Sequence, residues 1–147
     1  MKFYRLYWIE NEIADYFYGR ERSFFNLFRE SGSADGPLRE VIKSQINYIT
    51  RCIPFLPFNR AISQALASKR EFKQSENQFH IESSCGQNTA KIRLLDRYIE
   101  VELQGHSSDW DAYIFEVLRK LDGRLFAIDI ENEQFGWLKP IKVRKFI

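Results

Sequence analysis

Cysteine is scarce in this chain: two residues, Cys52 and Cys85, outside any CxxC and with no spacing that pairs them with the two histidines, His80 and His106. A disulfide framework and a Cys/His metal site therefore have no basis in the spacing. Neither sign of charge dominates, with 22 basic against 20 acidic side chains and a net charge of +2. A dedicated DNA-binding domain usually shows a stronger basic excess. No apolar run approaches the roughly 20 residues of a membrane span. The opening MKFYRLYWIEN carries charges at Lys2, Arg5 and Glu10, which argues against a signal peptide or anchor and predicts a cytoplasmic protein with reduced thiols. Glycine-rich phosphate loops and HExxH are also missing, so nucleotide binding and zinc hydrolysis lack their usual signatures.

What is present is apolar and ring-rich. Of 147 residues, 44% are hydrophobic and 16% aromatic, too apolar for a disordered segment and long enough for one domain over 1–147 with its own core. So high an aromatic content leads us to expect some rings at the surface, where they favour interfaces. The side chains able to do chemistry form no convincing constellation. Ser107 and Ser108 beside His106 and Asp109 are sequence neighbours, whereas a triad converges from separate elements. Cys85 with His80 has no nucleophile signature around it, and Asp129 within an apolar strand is more simply a carboxylate satisfied by a nearby donor. The chain reads as a non-enzyme without cofactor or metal.

The pattern predicts α/β architecture, α+β-like: a mixed, antiparallel-rich sheet of about five or six strands packed by several helices. Residues 2–9 alternate as a strand, and a short helix over 11–18 follows, with Asn11 as its cap and Gly19 as its stop. A second helix over 21–30 aligns Phe24, Leu27 and Phe28, with Phe25 beside them. Pro37 opens a third, whose core stripe is Leu38, Ile42, Ile46 and Ile49; a fourth over 58–67 uses Phe58, Ile62, Ala65 and Leu66. In QFHIESS, Phe79 and Ile81 share a face. A hairpin turning at Asp96–Arg97 sets Leu94 against Ile99, Ile92 against Val101 and Ala90 against Leu103, and places Arg93 opposite Glu100 and Lys91 opposite Glu102. Apolar and charged pairs select one register independently. Ser108 with Asp111 reads as a capping-box variant for a helix burying Trp110, Ile114, Val117, Leu118 and Leu121. RLFAIDIE over 124–131 is a central strand, FGWL starts a last short one, and the tail carries Lys139, Lys142, Arg144 and Lys145.

The stretch YWIENEIADYFYGRE, 7–21, stands out because so short a helix cannot bury all its large groups. Ile13 and Phe17 stack at i and i+4, and Tyr16 and Tyr18 point elsewhere, which makes the segment a candidate contact surface. Gln45, on the edge of the third helix's stripe, is an uncharged polar group that either solvates the edge or meets a partner.

Three blocks together resemble the SirA family of sporulation inhibitors of replication: this opening stretch; SQINYIT at 44–50 with Ile53–Pro54; and FEVLRK at 115–120 through FAIDI at 126–130 to FGWLKPIKVRKFI at 135–147. They cover roughly half the chain in the family's order, while 57–105 match only in general pattern. The resemblance implies a protein that binds the N-terminal domain of the replication initiator DnaA during sporulation and blocks its action at the origin, with no substrate, metal or cofactor. By position it selects Ile13, Phe17 and Gln45 as partner contacts, with Ala14, Tyr16 and Tyr48 as neighbouring candidates. Ile13 stands where an aromatic is expected, and Phe17 lacks a tyrosine's hydroxyl. The C-terminal block reads mostly as scaffold. A rival reading is a small nucleic-acid-binding domain using exposed aromatics and the basic tail; a second is a small hydrolase using Cys85 or His106.

Overall fold

The computed structural model of the chain describes residues 2–16, 19–66, 72–83, 86–122 and 124–138. In order these form β1 (Lys2–Ile9), α1 (Asn11–Tyr16), α2 (Glu21–Ser31), α3 (Gly36–Ile49), β2 (Thr50–Arg51), α4 (Phe55–Leu66), β3 (Phe72–Ser75), β4 (Gln78–Glu82), β5 (Thr89–Leu94), β6 (Ile99–Gln104), α5 (Ser108–Arg119), β7 (Leu125–Asp129) and β8 (Gln134–Trp137). The strands make one eight-stranded sheet in the order β3-β4-β5-β6-β1-β7-β8, with β2 added beside β1. The sheet is thus larger than the five or six strands expected. The additional strands are β2, only two residues long, and β3, whose sequence FKQS is too short and polar to declare itself. All pairings among the described residues are antiparallel, so the sheet is not mixed.

β1 organises the sheet because it pairs with β6 and with β7, leaving Leu6 and Ile9 fully buried. The β5–β6 hairpin has the register its side chains demanded, Leu94 against Ile99 through Ala90 against Leu103, and Arg93 meets Glu100 on the outer face. Leu95 N closes the turn onto Tyr98 O at 2.9 Å. β7 is buried at each of its five residues, as its apolar run predicted.

One sheet face is covered by α4 and α5. Phe58, Ile62 and Leu66 of α4 and Trp110, Ile114, Val117 and Leu118 of α5 meet alternate residues of β4, β5 and β6 there. Ser107, rather than Ser108, caps α5: its Oγ accepts from Trp110 N at 3.1 Å. α4 begins at Phe55, earlier than expected, because Pro57 falls in its first turn, where a missing N–H costs nothing. On the other face α2 sets Phe24, Phe25 and Phe28 against Tyr7, Phe126 and Ile128, with Phe135 and Trp137 at the margin. Asp129 is buried and satisfied locally, its carboxylate accepting from Asn132 N at 3.2 Å and Asn132 Nδ2 at 2.7 Å. Among the described residues no helix is long and apolar enough to cross a membrane.

Candidate functional site

The end of β1 delivers the chain to the edge of the second core, where α1 and the C-terminal end of α3 meet. Glu10 N donates to Ile49 O at 2.9 Å, and Ala14 N to Glu10 O at 2.8 Å, so α1 starts from the last turn of α3. Asn11 is the first helical residue and the capping position falls to Glu10. Ala14 points inward and is fully buried with Ile9 and the phenylalanines of the second core. Ile13 is half-buried and packs on the same core beside Ile46 and Ile49 while leaving one side open. Tyr16 is 65% exposed, with the Arg20 guanidinium 5.1 Å from its ring centre. Phe17 and Tyr18 lie outside the described residues. Gly19 follows with φ +88°, the left-handed backbone expected of the helix stop, and its N–H donates to Glu21 Oε2 at 2.7 Å. The same carboxylate oxygen accepts from Trp137 Nε1 at 3.1 Å, tying the corner between α1 and α2 to β8.

α3 presents its other face differently from the periodic expectation. Ile42 is buried, Ile46 and Ile49 are half-buried, and Leu38 is 57% exposed rather than part of the core stripe. The helix rests on the core through its C-terminal half, so the apolar stripe loses its cover towards the N-terminus. Gln45 is exposed, as are Val41 at 53% and Tyr48 at 76%. Spacings of three and four residues put Leu38, Val41, Gln45 and Tyr48 on one outward face. The inner stripe's spacing predicts Leu38 as core and does not mark Val41; the available signal is that 38, 41, 45 and 48 keep helical spacing as well as the inner stripe does.

Between the helices lies an open cleft of about 450 Å³ lined by Glu10, Asn11, Glu12, Ile13, Tyr48 and Arg51. It brings together Ile13 and Tyr48, and adds charged rim residues that the sequence had not marked. Arg51 stands with its guanidinium 4.0 Å from the Trp8 ring centre and 3.2 Å from Glu10. Desolvation of an amphipathic rim with a large exposed ring at its side suits a protein partner better than a small substrate. Another groove, about 400 Å³, is floored by Phe3, Tyr7, Phe28 and Ile128; none of the candidate contact residues lines it.

His106 is exposed, Ser107 is engaged as a helix cap, and no cluster of three or more His, Cys, Asp or Glu able to hold a metal occurs among the described residues. Cys85 and the basic tail from Lys139 onward lie outside the described residues.

Comparison with known proteins places these elements in a family. The family described as "Sporulation inhibitor of replication protein SirA" matches residues 2–142. A protein of that name from Bacillus subtilis (strain 168) is 31% identical over 148 aligned positions, covering 98% of this chain and 97% of that protein. The match runs through the 57–105 region that the sequence blocks had left unassigned. The chain belongs to the SirA family of sporulation inhibitors of replication.

Proposed function

We propose that this protein acts in the cytoplasm of the sporulating cell by binding the N-terminal domain of the initiator DnaA and occluding it, without catalysis. The contact surface is the outer side of α1 together with the exposed face of α3. Ile13 and Phe17 supply the apolar anchor, Gln45 and Tyr48 the orienting and ring contacts, and Tyr16 the margin. The observation that carries this reading is the juxtaposition of Ile13 with a 76%-exposed Tyr48 across one cleft, with the exposed Gln45 one turn earlier on the same helix. A large exposed ring beside a concave, amphipathic edge is the kind of group that dominates interface energies. Phe17, four positions after Ile13 in the sequence, is included on the family resemblance.

Calorimetric titration of the isolated N-terminal domain of the organism's own DnaA into this protein tests the reading. Binding near one to one is expected, with Phe17→Ala losing more than about 2 kcal/mol if that ring is a buried anchor. Binding that survives Phe17→Ala and Tyr48→Ala in folded variants would retain the partner and discard the surface. Absence of binding, with duplex DNA bound instead and released steeply by salt, would favour the nucleic-acid reading.

A further inference from the structure

The β5–β6 turn reaches across the molecule to the end of α3. Arg97 Nη2 donates to Asn47 O at 2.9 Å, to Thr50 O at 3.2 Å and to Thr50 Oγ1 at 3.0 Å, while Nη1 lies 3.0 Å from Cys52 Sγ. Thr50, itself buried, passes the grip on: its Oγ1 donates to Ile46 O at 2.7 Å. Next to Arg97, Asp96 O accepts from Ile53 N at 2.8 Å, so the turn is docked by main chain as well.

A helix leaves its last carbonyls without intrahelical partners, and a cation there is favoured by the aligned peptide dipoles. α3 has no basic residue in its last turn, and it runs straight into extended backbone at Thr50 rather than into a glycine cap. Its terminal acceptors are met from outside instead. Asn47 O and Thr50 O take Arg97, and Ile49 O takes Glu10 N from the start of α1. The turn thus held contains Tyr48 and follows Gln45, and the Glu10 bond ties that turn to the helix carrying Ile13.

We infer that Arg97 is a positioning residue for the partner contact: it locks the last turn of α3 and so holds Tyr48 and Gln45 in register against Ile13. This rests on the contact face proposed above. A guanidinium suits the task because its rigid planar fork sets Nη2 against the oxygens of Asn47 and Thr50 while Nη1 faces Cys52 Sγ, a fixed geometry that an ammonium on a flexible stem lacks.

A double-mutant cycle in the full chain separates positioning from general support, with affinity for the isolated N-terminal domain of DnaA as the readout. Arg97→Ala is expected to weaken binding about tenfold, and Arg97→Lys, which keeps the charge and guards against misfolding, by a smaller factor. In a Tyr48→Ala background the further change Arg97→Ala should cost less than about twofold, because residues acting through one contact are not additive. Amide exchange should quicken at Ile49 and Thr50 in Arg97→Ala while the β5–β6 ladder stays protected. Full additivity in the cycle, or unchanged affinity in Arg97→Ala, would overturn the inference while leaving the contact face in place. Unchanged affinity in Tyr48→Ala and Gln45→Ala would remove the contact face itself, and the role of Arg97 with it.

Discussion

The two faces of the sheet are built from different materials. The face under α4 and α5 is mostly aliphatic: Ile81, Ile92, Leu94, Ile99, Val101 and Leu103 alternate along adjacent antiparallel strands and meet Ile62, Leu66, Ile114 and Leu118. The face under α2 is a cluster of rings. Phe24 meets Phe126 edge-on with centroids 5.4 Å apart, Phe126 meets Trp137 at 5.1 Å, Tyr7 stacks on Phe28 at 4.2 Å and Phe25 on Phe135 at 5.0 Å. Much of the aromatic excess is therefore spent in a second core, not at the surface. Large flat side chains fill the space under a short helix with few residues, at low conformational-entropy cost per area buried. That compact ring core is also what α1 and the end of α3 rest on. The aliphatic face supplies the scaffold, and the ring face supports the elements that leave Tyr16, Val41 and Tyr48 exposed.

The difference can be tested by removal. Phe126→Ala, at a fully buried position touching several rings, is expected to destabilise by about 3–5 kcal/mol in urea unfolding. Ile92→Ala in the aliphatic layer should cost less, near the low end of about 2–5 kcal/mol, because neighbouring branched chains can partly close around the space. A larger loss from Ile92→Ala would reverse the comparison. On the outer surface, Tyr48→Ala should leave stability within about 0.5 kcal/mol of the parent while costing about 2 kcal/mol of partner affinity by calorimetry. Equal losses in both measurements would mean that Tyr48 belongs to the core's support.

A buried phenol sharpens the picture on the ring face. Burial raises the Tyr7 hydroxyl above its ordinary pKa of 10.0, against the lowering effect of its hydrogen bond with Arg5. The folded chain then holds that proton more tightly than the unfolded chain. Its contribution is complete below the unfolded value and is lost as pH rises through the higher folded value. Tyr7→Phe should stay within about 1 kcal/mol of the parent at neutral pH and flatten the decline above about pH 10, as read from urea unfolding at both pH values. The smallest effect is expected on the outer face of the hairpin, where Arg93→Gln, breaking the pair with Glu100, should cost no more than about 1 kcal/mol by thermal unfolding.

Much of the architecture was legible before the structure. Alternation along 90–94 and 99–103 determined the hairpin register, since a shift by one residue would turn Ala90, Ile92 and Leu94 outward and pair like with unlike across the strands. Helical spacing identified the buried faces of α2, α4 and α5, and the apolar run at 125–129 its position between two strands. Three blocks in order were enough to indicate the family. Periodicity, however, says which residues share a face and not how much of that face is covered. Leu38 therefore reads as core from spacing alone, and Val41 carries no mark of its exposure. β2 and β3 were missed because two and four residues carry too little pattern to separate a strand from a loop. The grip of Arg97 on α3 left no trace in the sequence at all: an ordinary turn residue meets carbonyls 47 and 50 positions away, and main-chain acceptors have no identity that a side-chain pattern could reveal. Local order and register thus belonged to the sequence alone. Which surfaces remained open, and what holds them in place, was decided by tertiary packing, because exposure depends on the neighbours that the fold brings together.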